Sequence, residues 1–194
     1  MGRIVVHENV SLDGVVRDPT GAEAYALSGW FDQLPAEDRA AWGVLEYQHA
    51  MDSEAWLLDR FSFEWFAGRC ASATGKWADR LRSIPKYVIS STPIDASTWA
   101  NSVVLTGDAV AEVTALRSIA YGDVVAYGSV PLVRTLLEHE LVDELRLVTH
   151  PVVLGTGQRL FQTSSDRKRL RLTAATAVGT SLALLTYQPA RSAR

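Results

Sequence analysis

Two glycine-bearing stretches and one acidic turn hold the residues best suited to chemistry in this chain. In the first stretch, Asp123 to Tyr127 is a short run of β-formers ended by Gly128, and Ser129, Val130 and Pro131 follow as a cap and first turn of a helix. Free N–H groups and the positive end of a helix dipole suit a phosphate or pyrophosphate, and Gly128 lets a ligand approach the backbone. The same Gly-Ser pair also occurs at strand-to-helix turns for geometry alone. The second stretch, Pro151 to Phe161, leaves a strand through an apolar run and then Leu154, Gly155, Thr156 and Gly157, so its loop must bend twice in a confined place. The acidic turn is Ser11-Leu12-Asp13-Gly14. Asp13 is either a turn-former, since Asp-Gly is a common turn pair, or a carboxylate pointed into a cleft at a strand end.

These residues need a frame, and hydrophobic periodicity predicts one. Leu132, Val133, Leu136, Leu137 and Leu141 recur on one helical face after Gly128, and the alternation of Leu145, Leu147 and Thr149 gives the next strand, so 123–161 reads as a βαβ unit. Upstream, Arg3 to Val10 is a strand apolar on both faces, Pro35 to Met51 a helix, and Ala55 to Arg60 a strand running into a short helix, Phe61 to Phe66. Lys86 to Ser90 and Asn101 to Leu105 are further strands, with a helix over Asp108 to Ile119. Leu170 to Ala177 and Leu182 to Gln188 read as a hairpin at the sheet edge. The alternation predicts an α/β fold: a mainly parallel central sheet, helices on both faces, and a C-terminal antiparallel hairpin. One domain is expected over 1–189, with a frayed tail at 190–194. Ligands in such sheets gather at the carboxyl ends of strands, which would set 12–14, 59–62, 90–92, 128–131 and 154–157 around one cleft.

Composition narrows the partners. A hydrophobic fraction of 47% with 21% charged residues is that of an ordinary globular protein, and a formal charge of −3 argues against nucleic acid. The basic cluster Arg167-Lys168-Arg169 reads as a solvated strand end. The single cysteine, Cys70, excludes an internal disulfide and reads as a packed thiol in a reducing compartment. No two of the four histidines stand at metal-ligand spacing and Cys70 is near none of them, so no metal is expected. No apolar stretch reaches membrane length and the N-terminus begins as a strand rather than a secretory signal, which predicts a cytoplasmic protein.

Gly128-Ser129 with the following LVRTLLEHELVDEL and HPVVLGTGQRLF resembles the C-terminal half of the dihydrofolate reductase-like family that includes the reductase domain of the bifunctional riboflavin-biosynthesis deaminase/reductase. Val10-Ser11-Leu12-Asp13-Gly14-Val15 is similar to that family's first strand and the loop over its active site. The resemblance implies a reductase that takes hydride from NADPH, or NADH, to a C=N or C=O bond of a pteridine, pyrimidine or similar planar heterocycle. It implies substrate contacts from Ser11, Leu12, Asp13, Leu154 and Gly155, with Asp13 and Asp32 as catalytic candidates. Glu37 and Asp38 read instead as acidic residues favouring a helix dipole. The cofactor would meet Asp59, Arg60 and Ser62 at its adenosine-phosphate end, Ser90, Ser91 and Thr92 near its 2′-phosphate, and Gly128, Ser129, Val130 and Pro131 at the turn. Two positions depart from the family pattern. Asp59 stands where glycine is usual and Ser91 where a basic residue is usual, so phosphate recognition is expected to be weaker, with Arg60 pairing with Asp59. A non-catalytic nucleotide-, flavin- or heterocycle-binding protein on the same fold is the alternative. Family members often pair, and six tryptophans leave room for an aromatic interface, so a homodimer is expected.

Overall fold

A computed structural model describes residues 1–21, 27–161 and 167–190. In chain order the strands are β1 (Arg3–Ser11), β2 (Ser53–Asp59), β3 (Lys86–Ile89), β4 (Ser102–Leu105), β5 (Asp123–Tyr127), β6 (Glu144–His150), β7 (Leu170–Val178) and β8 (Leu182–Pro189). The helices are α1 (Ala36–Asp52), α2 (Arg60–Cys70), α3 (Lys76–Ser83), α4 (Ala109–Ile119) and α5 (Val130–Glu138), with short 3-10 turns at Trp30–Gln33 and Ala96–Thr98. The sheet has eight strands in the order β4-β3-β2-β5-β1-β6-β8-β7. β2 pairs in parallel with β3 and β5, as does β3 with β4, whereas β8 pairs antiparallel with both β6 and β7. The expected α/β architecture with its C-terminal hairpin is therefore the observed one.

Two details differ from the sequence reading. β1 lies between β5 and β6 in the sheet, so the connection through α5 steps over a strand instead of joining neighbours. The helix after β2 runs on to Cys70, and α3 follows where no helix was expected. α3 is only eight residues long and follows Gly75, although Trp77, Ala78 and Leu81 do stand at helical spacing on its inner face. Residues 191–194 of the expected frayed tail lie outside the described residues.

The chain folds as two compact units, Met1–Val6 with Tyr47–Asp143 and His7–Glu46 with Glu144–Arg194. The core of the first gathers Val5, Trp56, Leu58, Phe63, Leu81, Ile84, Val88, Trp99, Val125 and Tyr127. Trp56 stacks on Tyr127 at 4.9 Å and meets Phe66 edge-on at 5.2 Å. Ala55 to Leu58 is buried throughout, the continuous apolar run of a parallel strand covered on both faces. Lys86 is buried at the start of β3. Its Nζ donates to the Leu81 carbonyl at 2.6 Å, at the end of α3, and lies 4.4 Å from the Trp99 ring; burial lowers its pKa to about 8.

In the second unit Leu34, Val178 and Leu182 pack with Phe31, Trp42, Leu45 and Leu184. Asp38 does more there than favour a helix dipole. It is buried, and its carboxylate accepts from Thr180 N at 2.6 Å, Thr180 Oγ1 at 3.1 Å and the Ser181 hydroxyl, which ties the β7–β8 turn to the first turn of α1. The Ser181 and Thr180 donors hold its pKa below the usual carboxylate range.

Candidate functional site

In the first unit the end of β2 and the start of α5 share one network. Asp59 precedes α2 in an extended conformation, and its Oδ1 accepts from Ser62 N at 2.8 Å, a helix cap. Its own N–H donates to Ser129 Oγ at 2.8 Å, and Ser129 is fully buried. The expected Asp59–Arg60 pairing does not form. Arg60 Nη1 instead reaches Glu64 at 3.1 Å on the next turn of α2, and Nη2 donates to the Pro93 carbonyl. Because its hydroxyl is committed to β2, Ser129 makes no side-chain cap on α5, and Pro131 in the first turn has no N–H to satisfy. Gly128 is exposed, with φ of 67° and nothing nearer a would-be Cβ than Ser62 Oγ at 3.8 Å. Ser90 turns inward, accepting from Thr92 N at 3.3 Å and donating to the Thr92 carbonyl at 2.8 Å, while Ser91 and Thr92 are exposed.

The second unit brings together Ser11, Asp13, Leu154 and Gly155. Asp13 Oδ1 accepts from Ser11 Oγ at 2.8 Å and Leu154 N at 3.1 Å, and Oδ2 from Gly155 N at 2.9 Å and Arg159 Nη2 at 3.2 Å. The Leu154 N–H, the Ser11 hydroxyl, the Gly155 N–H and Arg159 together outweigh desolvation and hold the carboxyl far below the usual range. Leu12 N donates to the Val152 carbonyl at 2.8 Å, and the Leu12 side chain is exposed. Asp13 thus stands at a strand end and shapes its turn, with its oxygens bonded to Ser11 and to the 154–159 loop. Asp32 sits apart in the Trp30–Gln33 turn, exposed, with its carbonyl accepting from Arg39 Nη1 at 2.9 Å.

Residues 3–184 match the RibD C-terminal domain family. The chain belongs to that family. The chain is 35% identical over 92 residues to the uncharacterized protein YyaP of Bacillus subtilis; this match spans 47% of the chain and 48% of YyaP, about half the relative's length. Its fold is similar to that of a crystallised putative riboflavin biosynthesis protein from Shewanella, with a TM-score of 0.74 at 19% identity over 97% of this chain and 99% of that one. It is also similar to dihydrofolate reductase from Enterococcus faecalis, solved as a complex with NADP(H), with a TM-score of 0.58 at 13% identity over 97% of each chain.

A dinucleotide cofactor, which the family implies, fits part of what this RibD-type chain offers. The open space over Gly128 and the start of α5, which no side chain caps, suit a pyrophosphate. At the β2 end the Ser62 N–H is already taken by Asp59 and Arg60 is engaged, so that turn offers little to a further phosphate.

Sequence reasoning passed over a polar group in the second unit. His7 Nε2 and Glu46 Oε1 lie 2.8 Å apart with both side chains buried, and Asn9 Oδ1 is met by Trp42 Nε1 at 2.8 Å and His150 Nε2 at 3.0 Å. His150 is buried, its pKa pushed down by burial to about 4, and Trp30 meets its ring edge-on at 4.8 Å. The available signal was His7-Glu8-Asn9 inside a strand apolar on both sides, since buried polar groups in a strand need partners. Among the described residues no three His, Cys, Asp or Glu side chains are grouped to hold a metal ion, and no helix is long and apolar enough to cross a membrane.

Proposed function

We propose that the chain is an NAD(P)H-dependent reductase of the RibD type, acting on a C=N or C=O bond of a pteridine, pyrimidine or similar heterocycle. The observation that carries this reading is the Gly128-Ser129 turn, open above the glycine and with the serine drawn away to β2, in a chain that matches the family over 3–184. The cofactor, when bound, supplies hydride. The backbone of Gly128, Ser129, Val130 and Pro131 would hold its pyrophosphate; Ser91 and Thr92, both exposed, would supply hydroxyls to the rest, whereas Ser62 and Ser90 are buried and shape the turns beneath them. Asp59 and Arg60 serve α2 and its surroundings. Ser11, Leu12, Leu154 and Gly155 are assigned to the substrate side, with Asp13 as the clamp that fixes their loops. Asp32, exposed and close to bulk water, is the remaining carboxylate candidate for proton supply.

The test is titration of the purified chain with NADPH and, separately, NADH, following tryptophan quenching and energy transfer to the reduced nicotinamide. Micromolar binding of one or both is expected, with little preference between them because Ser91 brings a hydroxyl and no charge to the position assigned to the 2′-phosphate. Asp59→Gly sharpens the result: it should weaken the α2 cap by a few tenths of a kcal/mol, and should tighten NADPH only if the carboxylate stands near a phosphate. Binding of neither nucleotide overturns the reading.

A second reading, a non-catalytic binding protein on this fold, is favoured by the full occupation of the Asp13 carboxylate. It predicts nucleotide or flavin binding without turnover, and single-turnover hydride transfer that survives in wild type but not in Asp32→Asn would dismiss it. The homodimer and the cytoplasmic location belong to the same proposal.

A further inference from the structure

Arg60 stands at the wrong end of its helix for a cation. It is the first residue of α2, where the helix dipole is positive and favours acidic side chains, so the helix itself does not account for it. Its partners do. Nη1 donates to Glu64 Oε1 at 3.1 Å one turn on, and Nη2 donates to the carbonyl of Pro93. Nε is shut off from solvent. Both donor arms of the guanidinium are therefore laid along the protein, toward α2 on one side and toward the turn after β3 on the other.

That turn has a fixed beginning and an exposed middle. Ser90 N donates to the Leu105 carbonyl at 3.1 Å, its buried hydroxyl donates to the Thr92 carbonyl at 2.8 Å, and Thr92 N donates to Ser90 Oγ at 3.3 Å. Ser91 and Thr92 are exposed, and Ile94 beyond them packs against the core. Between Ser90 and Ile94 the Pro93 carbonyl accepts from Arg60, and all of these residues belong to the first unit. A planar fork that bonds a carboxylate and a carbonyl at once fixes both orientation and distance, which a lysine ammonium on its flexible stem does not.

We propose that Arg60 is a positioning residue: by holding the Pro93 carbonyl from the first turn of α2, it presents the Ser91 and Thr92 hydroxyls to the ribose end of the nucleotide, and it does not itself read the 2′-phosphate. This rests on the reductase reading, which sets the 90–92 turn beside that ribose. The family resemblance implies a direct contact between Arg60 and the adenosine-phosphate end. Here both donor arms are spent on Glu64 and Pro93, so the charge that would select the phosphate serves the turn instead.

Two measurements on the full chain test this. Without nucleotide, hydrogen exchange at the Thr92 amide should be about fivefold faster in Arg60→Ala and in Arg60→Lys than in wild type, the worth of one partly exposed charged bond. Glu64→Gln keeps the Pro93 bond and should leave that exchange within about twofold of wild type. In titrations with NADPH and with NADH, both Arg60 variants should weaken the two nucleotides by the same factor, about fivefold, with the salt dependence of NADPH binding unchanged. A loss confined to NADPH, or NADPH affinity restored by Arg60→Lys, would mean that the charge is read directly and overturns the proposal. Unchanged exchange at Thr92 in Arg60→Ala overturns it as well. Should Arg60→Ala fail to fold, Arg60→Lys, which keeps the charge and the long stem, decides by the same two readouts. If the wild-type chain binds neither nucleotide, the reductase reading fails, while the exchange measurement, made without ligand, still decides whether Arg60 holds the turn.

Discussion

Asp13 and His150 are both held away from neutral-pH titration, by opposite means. Asp13 stays ionised because two backbone N–H groups, a hydroxyl and a guanidinium bond the charged form, whereas His150 stays neutral because burial penalises its cation. A proton donor works best with a pKa near the working pH, so Asp13 is a poor candidate for that role. Asp13→Asn should speed hydrogen exchange at the Leu154 and Gly155 amides and leave the neutral limbs of any pH–rate profile in place. For His150 the linkage has a definite sign. Above its unfolded pKa of about 6.5 neither state binds a proton; as pH falls toward 4 only the unfolded chain does, so stability is lost through that window. Between pH 7 and pH 5 the loss should be roughly 2 kcal/mol in urea unfolding, and His150→Phe should flatten it.

At the scale of elements, two turns owe their form to acidic side chains. Asp59 caps α2, and Asp38 anchors the turn between β7 and β8. The second arrangement depends on Gly179, which has φ of 64° and sits so close that a Cβ would collide with the Asp38 carboxylate. Gly179→Ala therefore faces left-handed strain of roughly 1–2 kcal/mol before any clash. Thermal unfolding should show at least that loss, and Asp38→Ala should remove the carboxylate clash but neither the strain nor the tight approach to the Asp38 backbone, so the double variant should be more stable than additivity predicts.

For the whole molecule, the tryptophans do not supply the aromatic surface that motivated a dimer. Trp30, Trp56 and Trp99 are buried, and Trp42, Trp65 and Trp77 are half-buried, most of them in the aromatic clusters. What would support self-association is β7, an edge strand of nine residues with seven exposed in succession, Arg171 to Ala177. Light scattering should give twice the chain mass at micromolar concentration, and a proline at Ala175 should restore the monomer if β7 forms the contact. A monomer mass in wild type would end the dimer proposal.

Much of this protein is written locally. Strand and helix alternation, the Gly128-Ser129 turn before α5, and the hairpin around Gly179 were all legible, because periodicity, caps and turn chemistry act over a few residues. The RibD-type resemblance rested on those same short stretches. The unread part is long-range. β1 enters the sheet between β5 and β6, Ser129 gives its hydroxyl to the N–H of Asp59 seventy positions earlier, Asp13 spends its carboxylate on Leu154, Gly155 and Arg159, and Asn9 meets His150. No local pattern announces such partners. Whether a polar residue is a free reagent, a cap or a clamp depends on which donors the fold brings to it, and only the tertiary structure makes that choice.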